Sequence, residues 1–445
     1  MRLRRTLPAA VALTGLALTA TACGGSGSSS GSGSSAPKGG QSLKGHSVTV
    51  AGVWTGEEQA SFKKVLKGFT DATGASVTFT STGDNVSTVI GSKIAGGDAP
   101  DVVMVPQVGV VQQFAANGWL QPLAADVTAA VTQNYAPVWK NYGTVKGTLY
   151  AVYFKSSDKS TIWYSPTAFA NAGITPPSTY AQLMTDAKTM ADSGIAAFSV
   201  AGQDGWPLTD WFENIYLSQA GPANYDKLAQ HQIAWTDPTV VKALTTLGAF
   251  FKQDTLIAGG RKGALATDFP TSVEQVFGDS PKAGMTYEGD FVSGNIQALH
   301  KKVGTDAKFF PFPPVDGGQA PVVGGGDAAV VLNKGKDKAA GMALVKYLAS
   351  PDAAAIWAKA GGYISPNKQV PLADYTDPTL RATAKSIVEA GNGVRFDMSD
   401  QAPAAFGGTA GTGEWKILQD FLRDPSNPQK TAQTLETAAA KAYKG

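Results

Sequence analysis

Between Ser47 and Pro106 the hydrophobic pattern changes period four times, and this alternation restricts the fold more than any other feature of the chain. "SVTVAGVW" (Ser47–Trp54) runs toward an apolar strand. "GEEQASFKKVLKGFTDATG" then sets Phe62, Val65, Leu66 and Phe69 on one helical face, with Gly74 as its stop. "ASVTFTST" is a second strand, "NVSTVIGSKIAGG" a shorter helix and "APDVVMVP" a third strand. Strands joined through helices lie parallel, so the stretch predicts a parallel sheet covered by helices.

The same alternation returns downstream. "VGVVQQFAANGWLQPL" reads as helix and turn, and "GTLYAVYF" and "STIWYSP" as strands joined by a polar bend, Lys155–Lys159. "TAFANAGI" and "TYAQLMTDAKTMADSG" are helical, separated by "TPPS" with Ser178 as cap. With the strand "IAAFSVA" they form a second α/β unit starting near residue 156. Ala220 to Pro281 is mostly helical; "AGMTYEGDF" is a strand running into a loop, and "DAAVVLN" a strand closing a Pro/Gly-rich segment. The rest is helical except for its loops, and there is no internal repeat.

At 445 residues, 43% of them hydrophobic and 16% charged, the chain has enough apolar surface for two globular domains. The net charge is +2 and no basic block lies beyond the first five residues, so nucleic acid is not expected as a partner. One cysteine allows no internal disulfide and no cysteine-based zinc site. His46, His231 and His300 are far apart in sequence, and neither metal nor cofactor is expected.

That cysteine, Cys23, stands where the apolar run "TLPAAVALTGLALTATA" meets a glycine–serine tract, after the cationic start "MRLRR". This is the layout of an export signal. "ATAC" resembles a lipobox, with Ala20 where Leu is commonest; the likeness implies cleavage before Cys23, which would become the lipid-bearing N-terminus of the mature protein. Acyl chains anchor by about 0.8 kcal/mol per buried methylene. Gly24–Gly40 would then be a flexible tether, and the body would lie outside the cytoplasmic membrane. A plain secreted protein is the alternative.

Taken in order, "VWTGEEQASF", "AGGDAPDVVMV", "FAANGWLQPL", "LYAVYF", "IWYSPTAFANAGITPPSTYAQL", "AGMTYEGDF", "FFPFPP", "GGGDAAVVLN" and "YLASPDAAAIWAKAGGYISPN" are similar to the family 1 extracellular solute-binding proteins of ABC transporters, which include the maltose-binding protein. The likeness spans nearly all of the mature chain. It implies an α/β periplasmic-binding-protein-like fold of two hinge-linked lobes with the ligand in the cleft between them. The expected division is a signal peptide over 1–22, a tether over 23–45, first lobe over 46–155 and 321–364, and second lobe over 156–320 and 365–445. The chain would cross near Lys155–Asp158, near Gly318–Gly325, where Gly324–Gly326 act as hinge, and near Gly362–Pro366.

A sugar offers apolar ring faces that suit aromatic planes and a hydroxyl rim that needs polar partners. With nine tryptophans, several after strands, the chain can supply both. In the family the loop after the first strand lines the cleft, so Trp54, Glu58 and Gln59 are expected there, although Glu57 and Glu58 would equally suit a helix N-terminus. Asp84 follows the second strand as a sugar ligand or a cap, and Asp101 is read as mainly structural, with Gln107 the better contact. A family acid falls close to Asp158. Asp204 and Trp206 would serve from the second lobe, as would Glu288 and Phe291 of "YEGDF"; the loop "AFGGTAGTGEW" offers Phe406 or Trp415.

The function expected is capture of a sugar or oligosaccharide by a monomeric, lipid-anchored receptor that delivers it to the permease subunits of an ABC importer, with no chemistry on the ligand. A lipid-anchored glycosidase, a receptor for a non-sugar solute and an adhesin or structural envelope protein are the alternatives. The first would also need paired carboxylates in a cleft. The second would use the same rings through cation–π contacts.

Overall fold

The computed structural model describes residues 42–390 and 394–444. The signal-like segment, Cys23 and most of the tether lie outside the described residues. None of the described helices is long and apolar enough to cross a membrane.

The alternating segments fold as their periods dictate. β1 (Ser47–Gly52) pairs in parallel with β2 (Ser76–Ser81) on one side and β3 (Val102–Val105) on the other. Helix Gly56–Thr73 returns the chain from β1 to β2, burying the four residues of the apolar face, Phe62, Val65, Leu66 and Phe69. It ends on Gly74 in the left-handed conformation (φ 79°), which glycine adopts without a Cβ penalty. A small hairpin, β4 (Thr144–Val145) and β5 (Thr148–Leu149), precedes the long strand β6 (Ala151–Asp158). The second unit holds β7 (Thr161–Tyr164), β8 (Ala196–Ser199), β9 (Ala283–Tyr287) and β10 (Lys308–Pro311), in the order β10-β7-β9-β8. β11 (Val323–Val331) returns to the first sheet, antiparallel to both β3 and β6, and β12 (Arg395–Phe396) runs parallel to the start of β11.

Two large apolar cores result. One gathers Val50, Phe62, Val103, Phe154, Val330 and Trp357. The other gathers Ile162, Phe198, Trp211, Phe250, Leu418 and Leu435. A smaller cluster around Trp163, Phe269 and Phe291 sits on the second-sheet side.

Three chain segments link the two cores, and two differ from expectation. Lys155–Asp158 is not a polar bend: it is the end of β6, zipped to β11 from Asp158↔Gly324 to Lys155↔Asp327, and the crossing falls at Lys159–Ser160. The last crossing is not at Gly362–Pro366 either. Tyr363, Ile364, Val370, Tyr375, Ala384 and Ile387 all pack in the first core, and the second core resumes at Met398, so β12 makes the crossing. The first lobe's return therefore runs about 30 residues past 364. Helix Pro378–Ala390 is amphipathic like the C-terminal helices, so its period alone does not reveal which core it joins.

Gly324–Gly326 lie inside β11 as regular strand, not as a loose hinge. A Cβ on Gly326 would stand 2.6 Å from the Lys155 carbonyl oxygen, and one on Gly325 2.8 Å from Ser157 Oγ. Glycine is needed there because two strands and the Lys159 side chain approach closely.

Candidate functional site

The C-terminal ends of β1, β2 and β3 open on the gap between the cores, where open α/β sheets bind ligands. The loop after β1 contributes Trp54, Glu57 and Glu58, the loop after β2 contributes Asp84, and the loop after β3 contributes Gln107. From the second sheet come Asp204 and Trp206 after β8, and Phe291 after β9. Lys155, Lys159 and Asp327 form the floor, and the cleft, open to solvent on one side, measures about 550 Å³.

The floor depends on a local irregularity. The β6–β11 register shifts between Asp327 and Ala328, so Lys155 opposes Asp327 while Tyr153 opposes Ala328. A bulge of this kind re-aims side chains, and both Lys155 and Asp327 reach the cleft. Lys155 Nζ donates to Glu58 Oε1 at 2.5 Å and lies 5.3 Å from the Phe291 ring centroid and 6.0 Å from that of Trp54. Burial works against the ammonium, but Glu58 and Asp327 outweigh it and raise the Lys155 pKa.

Lys159 is held more tightly. Its Nζ donates to Asp210 Oδ1 at 3.4 Å, to Asp400 Oδ2 at 3.5 Å and to Asp397, and stands 5.4 Å from the Trp206 centroid. Burial pushes the Asp210 and Asp400 carboxyls up. Asp397, also buried, is held low by Lys159 and its hydrogen bonds. Oxygens of Asp210, Glu213 and Asp397 lie within 4.8 Å of one another, a spacing that would suit a metal. Here Lys159 supplies the positive charge, while Glu213 accepts from Tyr225 Oη and the Met398 and Ser399 amides.

The ring surfaces are unequal. Trp54 is 3% exposed and wedged edge-on against Phe62 and Trp357, so only its margin faces the cleft. Trp206 opens helix Trp206–Ala220 and is half-buried, resting on Phe269 and Phe291 at 5.6 and 6.1 Å between centroids. Of the two aromatics of "AFGGTAGTGEW", Trp415 touches the wall and Phe406 is enclosed in the second core.

Seven of the ten ligand-binding residues expected from the sequence line this cleft: Trp54, Glu58, Asp84, Gln107, Asp204, Trp206 and Phe291. Gln59, Asp158 and Glu288 do not. Gln59 follows Glu58 around helix Gly56–Thr73 and leaves the wall as the helix turns. Asp158 shapes the crossing: its Oδ1 accepts from the Ser160 amide at 3.0 Å and its own amide donates to Asp290 Oδ1 at 2.7 Å. Glu288 is fully buried beside Lys159 and Asp210, its carboxyl raised to about 8 by burial. Asp101 joins elements of the first lobe, accepting from the Thr49 amide and hydroxyl at 2.8 and 2.7 Å and from the Asp337 amide at 2.6 Å. The wall residues not singled out from sequence include Asp268, Glu274, Asn295, Asp327 and Asp400. Of these Asp327 carried a signal, since it follows three glycines within a predicted strand.

Residues 54–355 match the sequence profile described as bacterial extracellular solute-binding protein. The chain is 33% identical over 382 residues to the osmoprotective compounds-binding protein GgtB of Synechocystis sp., covering 84% of this chain and 88% of that one. It is 32% identical over 409 residues to the alpha-glucosides-binding periplasmic protein AglE of Rhizobium meliloti, covering 89% and 87%. Among solved structures, the bacterial solute receptor AcbH superposes with a TM-score of 0.76 at 21% identity, over 90% of this chain and 99% of that one. Maltose-bound T. maritima MalE3 does so with 0.71 at 18%, over 89% and 99%.

Proposed function

Because this chain belongs to the bacterial extracellular solute-binding protein family, we propose that its cleft captures a sugar or short oligosaccharide and hands it to the permease of an ABC importer. The family and these relatives are binding components of transporters, not enzymes, so the glycosidase alternative falls away. The observation that carries the sugar reading is the makeup of the wall. The rings of Trp206 and Phe291 share one cleft with the carboxylates of Glu58, Asp84 and Asp204. Rings cover C–H faces and carboxylates accept from hydroxyls. AglE is named for alpha-glucosides, and AcbH has a substrate preference for b-D-galactopyranose, which points the same way.

A ligand that touches both lobes binds the closed arrangement better than the open one, and that difference in affinity drives closure. Acylation of Cys23 would hold this monomeric receptor at the outer face of the membrane, with the Gly/Ser tract keeping it near the permease at high local concentration.

A thermal-shift screen of mono-, di- and oligosaccharides, alpha-glucosides and galactose among them, tests the reading. A ligand should raise the Tm once its concentration exceeds the Kd. Osmoprotective non-sugars belong in the same screen, given the name of GgtB. A shift with these and with no carbohydrate would overturn the sugar reading.

A further inference from the structure

The cleft wall is rich in carboxyl groups and has no unpaired cation among the described residues. Its two ammonium groups are both engaged: Lys155 by Glu58, and Lys159 by Asp210, Asp397 and Asp400. Glu58 and Asp400 are thereby answered, and Asp268 is occupied in capping helix Phe269–Phe277 through the Thr271 amide. Of the other wall acids, Asp327 lies beside Lys155 and Glu57 and Glu274 stand elsewhere on the wall, while Asp84 and Asp204 form a pair. They come from opposite lobes, Asp84 after β2 and Asp204 after β8, and meet beside Trp206 in the same cleft.

Asp204 Oδ2 accepts from the Phe269 amide at 2.7 Å and Asp84 accepts from the Trp206 side chain, and no cation stands among the groups acting on either carboxyl. Burial raises both, Asp204 to about 6; the Asp84 charge adds to the Asp204 shift, and the Glu58 charge adds to that of Asp84. A separate sign of an absent donor is Gln107, only 5% exposed: its Oε1 has no hydrogen-bond partner among the described residues, and the side chain lines the cleft. Two close carboxylates and an orphaned amide oxygen are best satisfied by a group with several N–H donors and a positive charge, near an indole that attracts cations.

We propose that the preferred ligand is an amine-bearing sugar, whose ammonium group is held between Asp84 of one lobe and Asp204 of the other. The proposal rests on the sugar reading above and adds the charge of the ligand. Bridging carboxylates of the two lobes, such an ammonium would also favour closure directly.

Titration calorimetry at pH 7 with matched pairs tests it: glucose against glucosamine, galactose against galactosamine, cellobiose against the glucosamine disaccharide. The amino member should bind at least about tenfold more tightly at low salt, because each charge-assisted hydrogen bond is about twice as strong as a neutral one. Raising ionic strength should shrink that advantage, and Asp84→Asn and Asp204→Asn should each remove most of it while changing the affinity for the neutral member less. Equal or tighter binding of the neutral sugars overturns the proposal and leaves the sugar reading intact. An amine preference that survives both substitutions and high salt overturns the assignment to these two residues. Binding of neither member overturns both. The wild-type pairs and their salt dependence decide the matter even if a variant folds poorly.

Discussion

Lys159 and Asp210 face each other across 3.4 Å, a lysine from the first crossing between the lobes against an aspartate from the second lobe's helix Trp206–Ala220. Asp397 and Asp400, from the last crossing, close on the same ammonium. The lysine therefore ties two of the three interlobe connections to the second lobe. Replacing it with an apolar side chain of similar length would leave Asp397, the carboxylate it holds in the charged form, buried without a counter-charge. Removing one partner of a buried charge pair costs about 3–5 kcal/mol. Lys159→Met should lower the unfolding free energy by that order in urea denaturation. A loss below about 1 kcal/mol would show that the Asp397 carboxyl is neutral as well and that the lysine does not hold the crossing together.

The crossing strands are crowded, and glycine is the only residue that fits at their midpoint. Gly326→Ala would put a methyl 2.6 Å from a backbone oxygen and 3.1 Å from Trp139. Overpacking of this kind costs about 1–3 kcal/mol. Gly294, in helix Val292–Ala298, offers the contrast: an added Cβ meets nothing within 4 Å. There alanine should be neutral or stabilising by about 0.5–1 kcal/mol through helix propensity. Thermal melts of the two variants should move in opposite directions.

Legibility followed the physics of each signal. The period changes from Ser47 to Val105 gave β1, β2, β3 and both helices between them to within a few residues, because each element buries one face of regular spacing. The cleft residues after those strands were legible for the same reason, since sheet topology sends strand ends to the ligand side. What failed was tertiary. Lys155, Ser156 and Ser157 read as a polar bend because three of five residues from 155 to 159 are charged, yet β11 pairs with them and encloses them in the interlobe floor. Glu288 read as a strand-end ligand because nothing in "YEGDF" reports that Lys159 and Asp210, distant in sequence, surround it. Helix Pro378–Ala390 has an apolar face that would suit either core, and contacts decide between them.

Asp101 separates structural from binding roles. Its carboxylate, 1% exposed, satisfies Thr49 on β1 and the Asp337 amide at the start of helix Lys338–Leu348. Leaving these donors without a partner costs about 1–3 kcal/mol for each that stays buried. Asp101→Ala should therefore lower stability by about 2–4 kcal/mol. The residue does not line the cleft, so the Kd of any ligand found should stay within about twofold at a temperature where the variant is folded. Trp206→Ala should do the reverse, weakening ligand binding by about 1–2 kcal/mol through lost ring contact with little effect on the melt. If the two phenotypes were exchanged, the wall would be misassigned.

The buried carboxyls make stability depend on pH in an uncommon direction. Burial raises Asp204 and Asp327 to about 6, Asp290 to about 7 and Glu288 to about 8. An acid raised in the folded state binds more protons folded than unfolded at any pH between its two pKa values. Its contribution is fully present below the unfolded value, near 4, and is lost as pH rises through the folded value. Asp397 runs the other way: held low chiefly against burial by Lys159, it contributes above about 4 and loses that contribution only in strong acid. Between pH 5 and pH 8 the raised acids alone change, so the unfolding free energy should fall with rising pH. Glu288 alone would account for a loss on the order of 1–2 kcal/mol between pH 6 and 8. Urea denaturation at pH 5, 6, 7 and 8 measures the slope. Glu288→Gln, which fixes the neutral form, should flatten it over pH 6–8. A wild-type slope of the opposite sign would mean that these carboxylates stay charged in the folded protein and that Lys155 and Lys159 satisfy more of them than their distances allow.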